Sequence, residues 1–165
     1  MTHSGNDLLD VAPIAGSFGA EIGGINIHDN LHPDVVSALQ DALVRYKVLV
    51  IRDQHALKPD DQLAFARRLG ELEIHPFTPS LDGYPEILEF AHDGSADARE
   101  KWHTDLSFRQ APSMAAVLRA VVVPEFGRDT VFADMEAAYD GLSKPMQGFL
   151  HSLTAVHDWR NGRGY

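Results

Sequence analysis

The sequence predicts an α+β fold, with helices early and antiparallel strands later. Two observations predict it. Two helix-period apolar patterns occur before residue 70, and after residue 85 the apolar residues gather in short runs rich in β-branched and aromatic side chains. The length of 165 residues suits a single domain, 1–165, that buries a core, with a polar N-terminus, 1–10, expected to be disordered.

The elements follow in order. Ile14 to Ile27 is glycine-rich and alternates weakly, which suits a strand and turns. Pro33 to Tyr46 reads as a helix, because Pro33 fits a first turn and Val36, Leu39, Leu43 and Tyr46 share one face. Val48 to Ile51 reads as a short buried strand. A second helix is expected over Pro59 to Leu69. Asp60 and Asp61 sit at its positive end, Leu63, Ala66 and Leu69 face inward, and Gly70 closes it. Glu71 to Pro85 reads as a long loop around a short strand, and Glu86 to Ala91 as a further strand. The polar segment His92 to Lys101 is expected to be mobile. Glu100 to Phe108, Ala115 to Val123 and Thr130 to Ala133 then read as strands. Ser143 caps a last helix, with Lys144 and Pro145 in its first turn and Phe149, Leu150 and Leu153 as its buried stripe. The closing residues Asn161 to Tyr165 offer no stop signal for a domain.

Composition excludes several classes of function. A net charge of −10 argues against a nucleic acid or an anionic membrane as partner. The absence of cysteine excludes disulfides, thiolate catalysis and Cys-ligated zinc or iron–sulfur centres, and fits a reducing, cytoplasmic setting. The first ten residues carry no signal-peptide pattern, and Met114 to Pro124, interrupted by Arg119, is too short to cross a bilayer.

Chemistry concentrates at Trp102-His-Thr-Asp-Leu-Ser-Phe108. In a strand, residues two apart point to one side, so His103, Asp105 and Ser107 would share a polar face while Trp102, Thr104, Leu106 and Phe108 pack behind it. An imidazole nitrogen and a carboxylate oxygen held together suit two adjacent corners of an octahedral metal, and a further histidine completes the facial triad of non-haem iron oxygenases. The bland reading is a polar strand face turned to solvent. Nine histidines in so acidic a chain yield roughly one His-x-Asp by chance. A second such tripeptide, His32-Pro-Asp34, reads as a helix start.

The flanking motifs, taken together, decide the weight of that pair. Val48-Leu-Val-Ile-Arg-Asp-Gln54, Phe65 to Pro76, the segment from Trp102 to Phe108 followed by Pro112, Gly127-Arg-Asp-Thr-Val-Phe132 and His157-Asp-Trp159 stand in the order and spacing of the taurine dioxygenase (TauD/TfdA) family, from about Phe18 to Trp159. The chain resembles the N-terminal part of that family. The resemblance implies a double-stranded β-helix (a jelly roll, clavaminate synthase-like) with flanking helices. It also implies an Fe(II)- and 2-oxoglutarate-dependent dioxygenase that hydroxylates a small anionic substrate with O2, releasing succinate and CO2. His103 and Asp105 would bind Fe(II), Thr130 would hydrogen-bond 2-oxoglutarate, and His75 would donate to an anionic head group. For His75 the bland alternative is a loop histidine beside Pro76. Phe108 and Leu118 are read as core residues before pocket-lining ones, and Arg52 and Asp53 as a turn.

The family's distal histidine ligand and its 2-oxoglutarate-binding arginine have no match in the chain, which is therefore expected to be a truncated portion of the enzyme. His151 and His157 are weak substitutes, lying on or just after a helix. Thr78 and Arg99 stand where a taurine-specific member carries tyrosine and asparagine. This points away from taurine toward another sulfonate, an alkyl sulfate or a carboxylate. A homo-oligomer is expected for the full-length form. The competing readings are a non-catalytic jelly-roll binding module, and an intact metal hydrolase or isomerase using His151 or His157 as a third ligand.

Overall fold

The computed structural model describes residues 8–90, 102–127 and 129–158. The chain divides into two compact units, Met1–Glu89 and Phe90–Tyr165.

In the first unit, strand β1 (Asp10–Pro13) pairs antiparallel with β2 (Ala20–Gly23), from Asp10 opposite Gly23 to Pro13 opposite Ala20. The connecting turn closes through Ile14 N–H to Gly19 O at 2.9 Å, with Gly19 at φ 88°, a left-handed conformation that glycine adopts without steric cost. Along β2 the pleat alternates, with Ala20 and Ile22 buried and Glu21 and Gly23 half-buried. Helix α1 (Pro33–Tyr46) then carries the chain across to β3 (Leu49–Val50), which joins β2 in parallel and completes the order β1-β2-β3.

α1 forms as its pattern predicts. His32 is its N-cap, accepting at Nδ1 from Asp34 N–H at 3.3 Å, so the His32-Pro-Asp34 tripeptide is a helix start. Val36, Ala38, Leu39 and Ala42 are its buried stripe, and Leu43 and Tyr46 are half-buried at its margin. Lys47 takes φ 65° and donates its N–H to Leu43 O at 2.7 Å, which ends the helix and turns the chain into β3. That strand is half-buried, where the sequence predicts full burial. Among the described residues it has a ladder neighbour in β2 alone, at the edge of that sheet.

Helix α2 (Pro59–Leu69) opens with Lys58 N–H donating to the Asp61 carboxylate at 2.8 Å and buries Leu63 and Phe65. Gly70 N–H reaches Ala66 O at 3.2 Å, as expected of a closing residue. Gln40 Nε2 donates to Leu69 O at 3.1 Å, and the Arg68 guanidinium donates to Asn30 Oδ1 and Leu31 O. These bonds tie the end of α2 to α1 and to the loop before it. A hairpin of β4 (Ser80–Leu81) and β5 (Tyr84–Leu88) follows, turning at Gly83 with φ 78°. Among the described residues the core, from Leu9 through Ile22, Leu39 and Leu57 to Phe65, lies in this unit. Of the N-terminus expected to be disordered, residues 1–7 lie outside the described residues. Leu9 is already buried and Asp10 opens β1.

The second unit has helices α3 (Met135–Asp140) and α4 (Lys144–His151). Asp134 caps α3 by accepting from Ala137 N–H at 3.0 Å, and Ser143 caps α4 by accepting from Met146 N–H at 3.4 Å. Gln147 Nε2 donates to Tyr139 O at 2.9 Å and to Asp140 O at 3.2 Å, locking the pair. The strands expected at Glu100–Phe108, Ala115–Val123 and Thr130–Ala133 are not formed among the described residues. A strand is defined by a ladder with a neighbouring segment, and no ladder on these runs is formed among the described residues. The expected buried stripe of α4 is also corrected, since Phe149 is 60% and Leu153 54% exposed, with no described element packed on that face. The mobile connection expected at His92 to Lys101 lies outside the described residues, as do Trp159 and the closing residues to Tyr165.

Candidate metal centre

The second unit brings together the two residues on which the sequence reading depends. His103 Nε2 and Asp105 Oδ1 are 3.3 Å apart. They meet in a turn and not across the pleat of a strand, which corrects the expected geometry while preserving the pairing. The turn has its own cause. Leu106 adopts φ 51° and its carbonyl accepts from Arg109 N–H at 2.9 Å, so the backbone folds back immediately after Asp105.

The separation fits a metal. Two cis ligands, each about 2.1 Å from an octahedral ion, stand about 3.0 Å apart, and a neutral imidazole with a carboxylate is a donor pair suited to a divalent first-row metal. Both side chains are open to solvent, 59% and 72% exposed, so an ion has access. The pair supplies two corners. Among the described residues, no group of three histidine or acidic side chains is arranged to hold a metal.

The remaining candidates are distributed as follows. Thr130 is exposed outside any helix or strand. His151 ends α4 and is exposed. His157 is placed differently, with Nδ1 2.9 Å from Ser107 Oγ, two residues beyond Asp105. Nothing in a separation of 50 residues signals that contact. Phe108 is half-buried, and Leu118, expected in a core, is 71% exposed, because the second unit buries none of its described residues.

In the first unit, His75 is half-buried and its Nδ1 accepts two backbone N–H groups, from Phe77 at 3.2 Å and Thr78 at 2.9 Å. Pro76 has no N–H, so these are the first two available after it. An Nδ1 used as acceptor leaves the proton of the neutral ring on Nε2 and defines that nitrogen as the donor. Sequence reasoning identifies the histidine but not this orientation. Arg52 and Asp53 form the expected turn. Asp53 is at φ 60°, and Arg52 Nε donates to the Glu21 carboxylate at 2.7 Å, a hydrogen bond that raises the guanidinium pKa further. Gln54, which the sequence marks only by its place in a motif, accepts from Ile27 N–H at 3.1 Å and donates to Arg52 O at 2.8 Å and Ile25 O at 3.4 Å. It closes the loop after β2 onto the turn after β3.

The model of the taurine catabolism dioxygenase TauD, TfdA family matches residues 10–164, and the chain belongs to this family. An α-ketoglutarate-dependent sulfate ester dioxygenase of Pseudomonas putida is 43% identical over 150 residues, which cover 90% of this chain and 49% of that protein. The crystal structure of a taurine dioxygenase from Burkholderia xenovorans superposes with a TM-score of 0.78 at 31% identity, covering 87% of this chain and 51% of that one. A structure of AAD-2 in complex with Mn(II) and N-oxalylglycine has a TM-score of 0.73 at 26% identity, covering 94% and 55%. The chain thus spans about half the length of the relatives it matches. These likenesses place its fold with the TauD-type dioxygenases, while the described residues contain two small sheets.

Proposed function

We propose that the protein is an Fe(II)- and 2-oxoglutarate-dependent dioxygenase. It hydroxylates a small anionic organic substrate, a sulfonate, an alkyl sulfate or a carboxylate, and releases succinate and CO2. The observation that carries this reading is the 3.3 Å approach of His103 Nε2 to Asp105 Oδ1 within a chain of the TauD, TfdA family. The sulfate ester activity named for the P. putida relative supports the substrate class. The Mn(II)–N-oxalylglycine complex of AAD-2 supports a divalent metal beside a compound with the oxalyl head and distal carboxylate of 2-oxoglutarate.

In this reading His103 and Asp105 hold the metal from two corners. Bound Fe(II) with 2-oxoglutarate supplies the oxidising power for C–H hydroxylation by O2. The Thr130 hydroxyl donates to the cosubstrate, and His75 donates from Nε2 to the substrate's anionic group. A directed donor matters because the chain carries a net charge of −10, so its overall field repels an anion and recognition must be local. Both units belong to one domain, residues 1–165, a reading supported by a family match that runs through them. The protein is cytoplasmic, in keeping with a chain that has no cysteine, and its full-length form is homo-oligomeric, as the family resemblance implies. No helix among the described residues is long and apolar enough to cross a membrane.

The test is succinate formation by the protein expressed from its complete reading frame. Fe(II), 2-oxoglutarate and O2 are supplied with a panel of alkyl sulfates, sulfonates and carboxylates. Turnover with at least one class, abolished by His103→Ala and by Asp105→Ala, is expected. No substrate-stimulated succinate across the panel refutes the reading.

A further inference from the structure

The segment His157-Asp-Trp159 has a place in the family pattern, but the reaction as proposed assigns it no task. We infer that His157 is a positioning residue for the metal pair, acting through Ser107. The inference rests on the reading of His103 and Asp105 as metal ligands.

His103 and Asp105 lie in an irregular turn without a β-ladder, and a strand would otherwise set the relative orientation of two such side chains. The local bond from Arg109 N–H to Leu106 O fixes the backbone after Asp105 but not the direction in which the turn faces. The contact between Ser107 Oγ and His157 Nδ1, at 2.9 Å, links that turn to the segment after α4, 50 residues away. Ser107 is half-buried and follows Asp105 by two residues, so restraining it restrains the Asp105 carboxylate through the shared backbone. With the proton on Nε2, His157 accepts the Ser107 hydroxyl. In the other tautomer it donates to Ser107 Oγ. Either arrangement makes the tie. His157 is thereby engaged through Nδ1 with a serine, a role different from that of a third metal ligand. Groups that orient ligands without touching the ion change metal affinity by about 10–100-fold, and one acting through two residues of backbone belongs at the lower end of that range.

The experiment titrates the protein expressed from its complete reading frame with Mn(II) under anaerobic conditions, following free Mn(II) by electron paramagnetic resonance. Amide hydrogen exchange at residues 103–107 is measured in the metal-free protein. Ser107→Ala and His157→Ala are each expected to weaken Mn(II) binding roughly tenfold, the double variant no more than either, and His157→Asn to recover most of the loss. Both alanine variants are expected to speed amide exchange across 103–107 while leaving the unfolding midpoint of the first unit in place. Additive losses overturn the inference. So does a large loss in His157→Ala with none in Ser107→Ala, which instead marks His157 as a direct ligand. If the wild-type chain takes up no Mn(II), the metal reading fails. The exchange measurement then still decides the tie, and unchanged exchange in both variants overturns it.

Discussion

Gln54 gives the most quantitative test of how this fold is held. Its side-chain amide bridges two loops, accepting from Ile27 N–H at 3.1 Å and donating to Arg52 O at 2.8 Å. The contact to Ile25 O at 3.4 Å is long and contributes little. Two well-formed hydrogen bonds at about 1 kcal/mol each give about 2 kcal/mol. Gln54 is half-buried while Ile27 is buried at 8% exposure, so truncation leaves Ile27 N–H poorly solvated and does not simply return it to water. Gln54→Ala is therefore expected to lower the unfolding free energy by about 2 kcal/mol, a fall in midpoint of about 8–16 °C for a unit of this size. Gln54→Glu keeps the acceptor for Ile27 but turns a carboxylate toward two carbonyl oxygens, and it is expected to destabilise at least as much near neutral pH. Urea unfolding followed by far-UV circular dichroism measures both. A change below about 0.5 kcal/mol in Gln54→Ala, the range of an ordinary surface substitution, refutes the clamp.

Further consequences follow from the other sites. In His75→Asn the amide oxygen stands in for Nδ1 and keeps the acceptor for Phe77 and Thr78 N–H, but the Nε2 donor is gone. The turn is expected to persist while substrate KM rises, whereas His75→Gln loosens the turn, as amide exchange at Phe77 and Thr78 will report. Tyr84 Oη lies 3.3 Å from the Asp60 carboxylate, whose negative charge pushes the phenol pKa up. The folded state then holds this proton more tightly than the unfolded chain. Its contribution is complete below the ordinary tyrosine pKa of about 10 and is lost as pH rises through the raised value. Ultraviolet difference titration is expected to show Tyr84 ionising late, and Asp60→Asn to remove the delay. Leu39→Ala, at a site 2% exposed, should cost about 2–5 kcal/mol. Leu118→Ala, at 71% exposure, should stay within about 0.5 kcal/mol by the same denaturant assay.

The first unit was legible because its signals are local. Pro33, the apolar stripe of α1 and the acidic start of α2 each act within a few residues, and each element formed where those signals lie. β1 carries no such local signal, since Asp-Val-Ala-Pro shows no alternation and depends on β2 for its definition. The same dependence explains the second unit. Ala115 to Val123 is apolar and rich in valine, but a strand is a relation between two segments, and no ladder forms on this run among the described residues. The approach of His103 to Asp105 was readable from their spacing, although a turn and not a pleat produces it. The tautomer of His75, the bridge made by Gln54 and the contact from His157 to Ser107 were not readable. Each is fixed by where a nitrogen or an amide meets its partner in space.

The most direct test of the whole account is an anaerobic titration of Fe(II) into the protein with 2-oxoglutarate present, following the charge-transfer absorbance that arises when the two bind together. Saturable absorbance is predicted for the wild type, with its loss in His103→Ala and in Asp105→Ala. An undiminished band in both variants, or none in the wild-type protein expressed from its complete reading frame, contradicts the claim that this imidazole and this carboxylate together hold the iron.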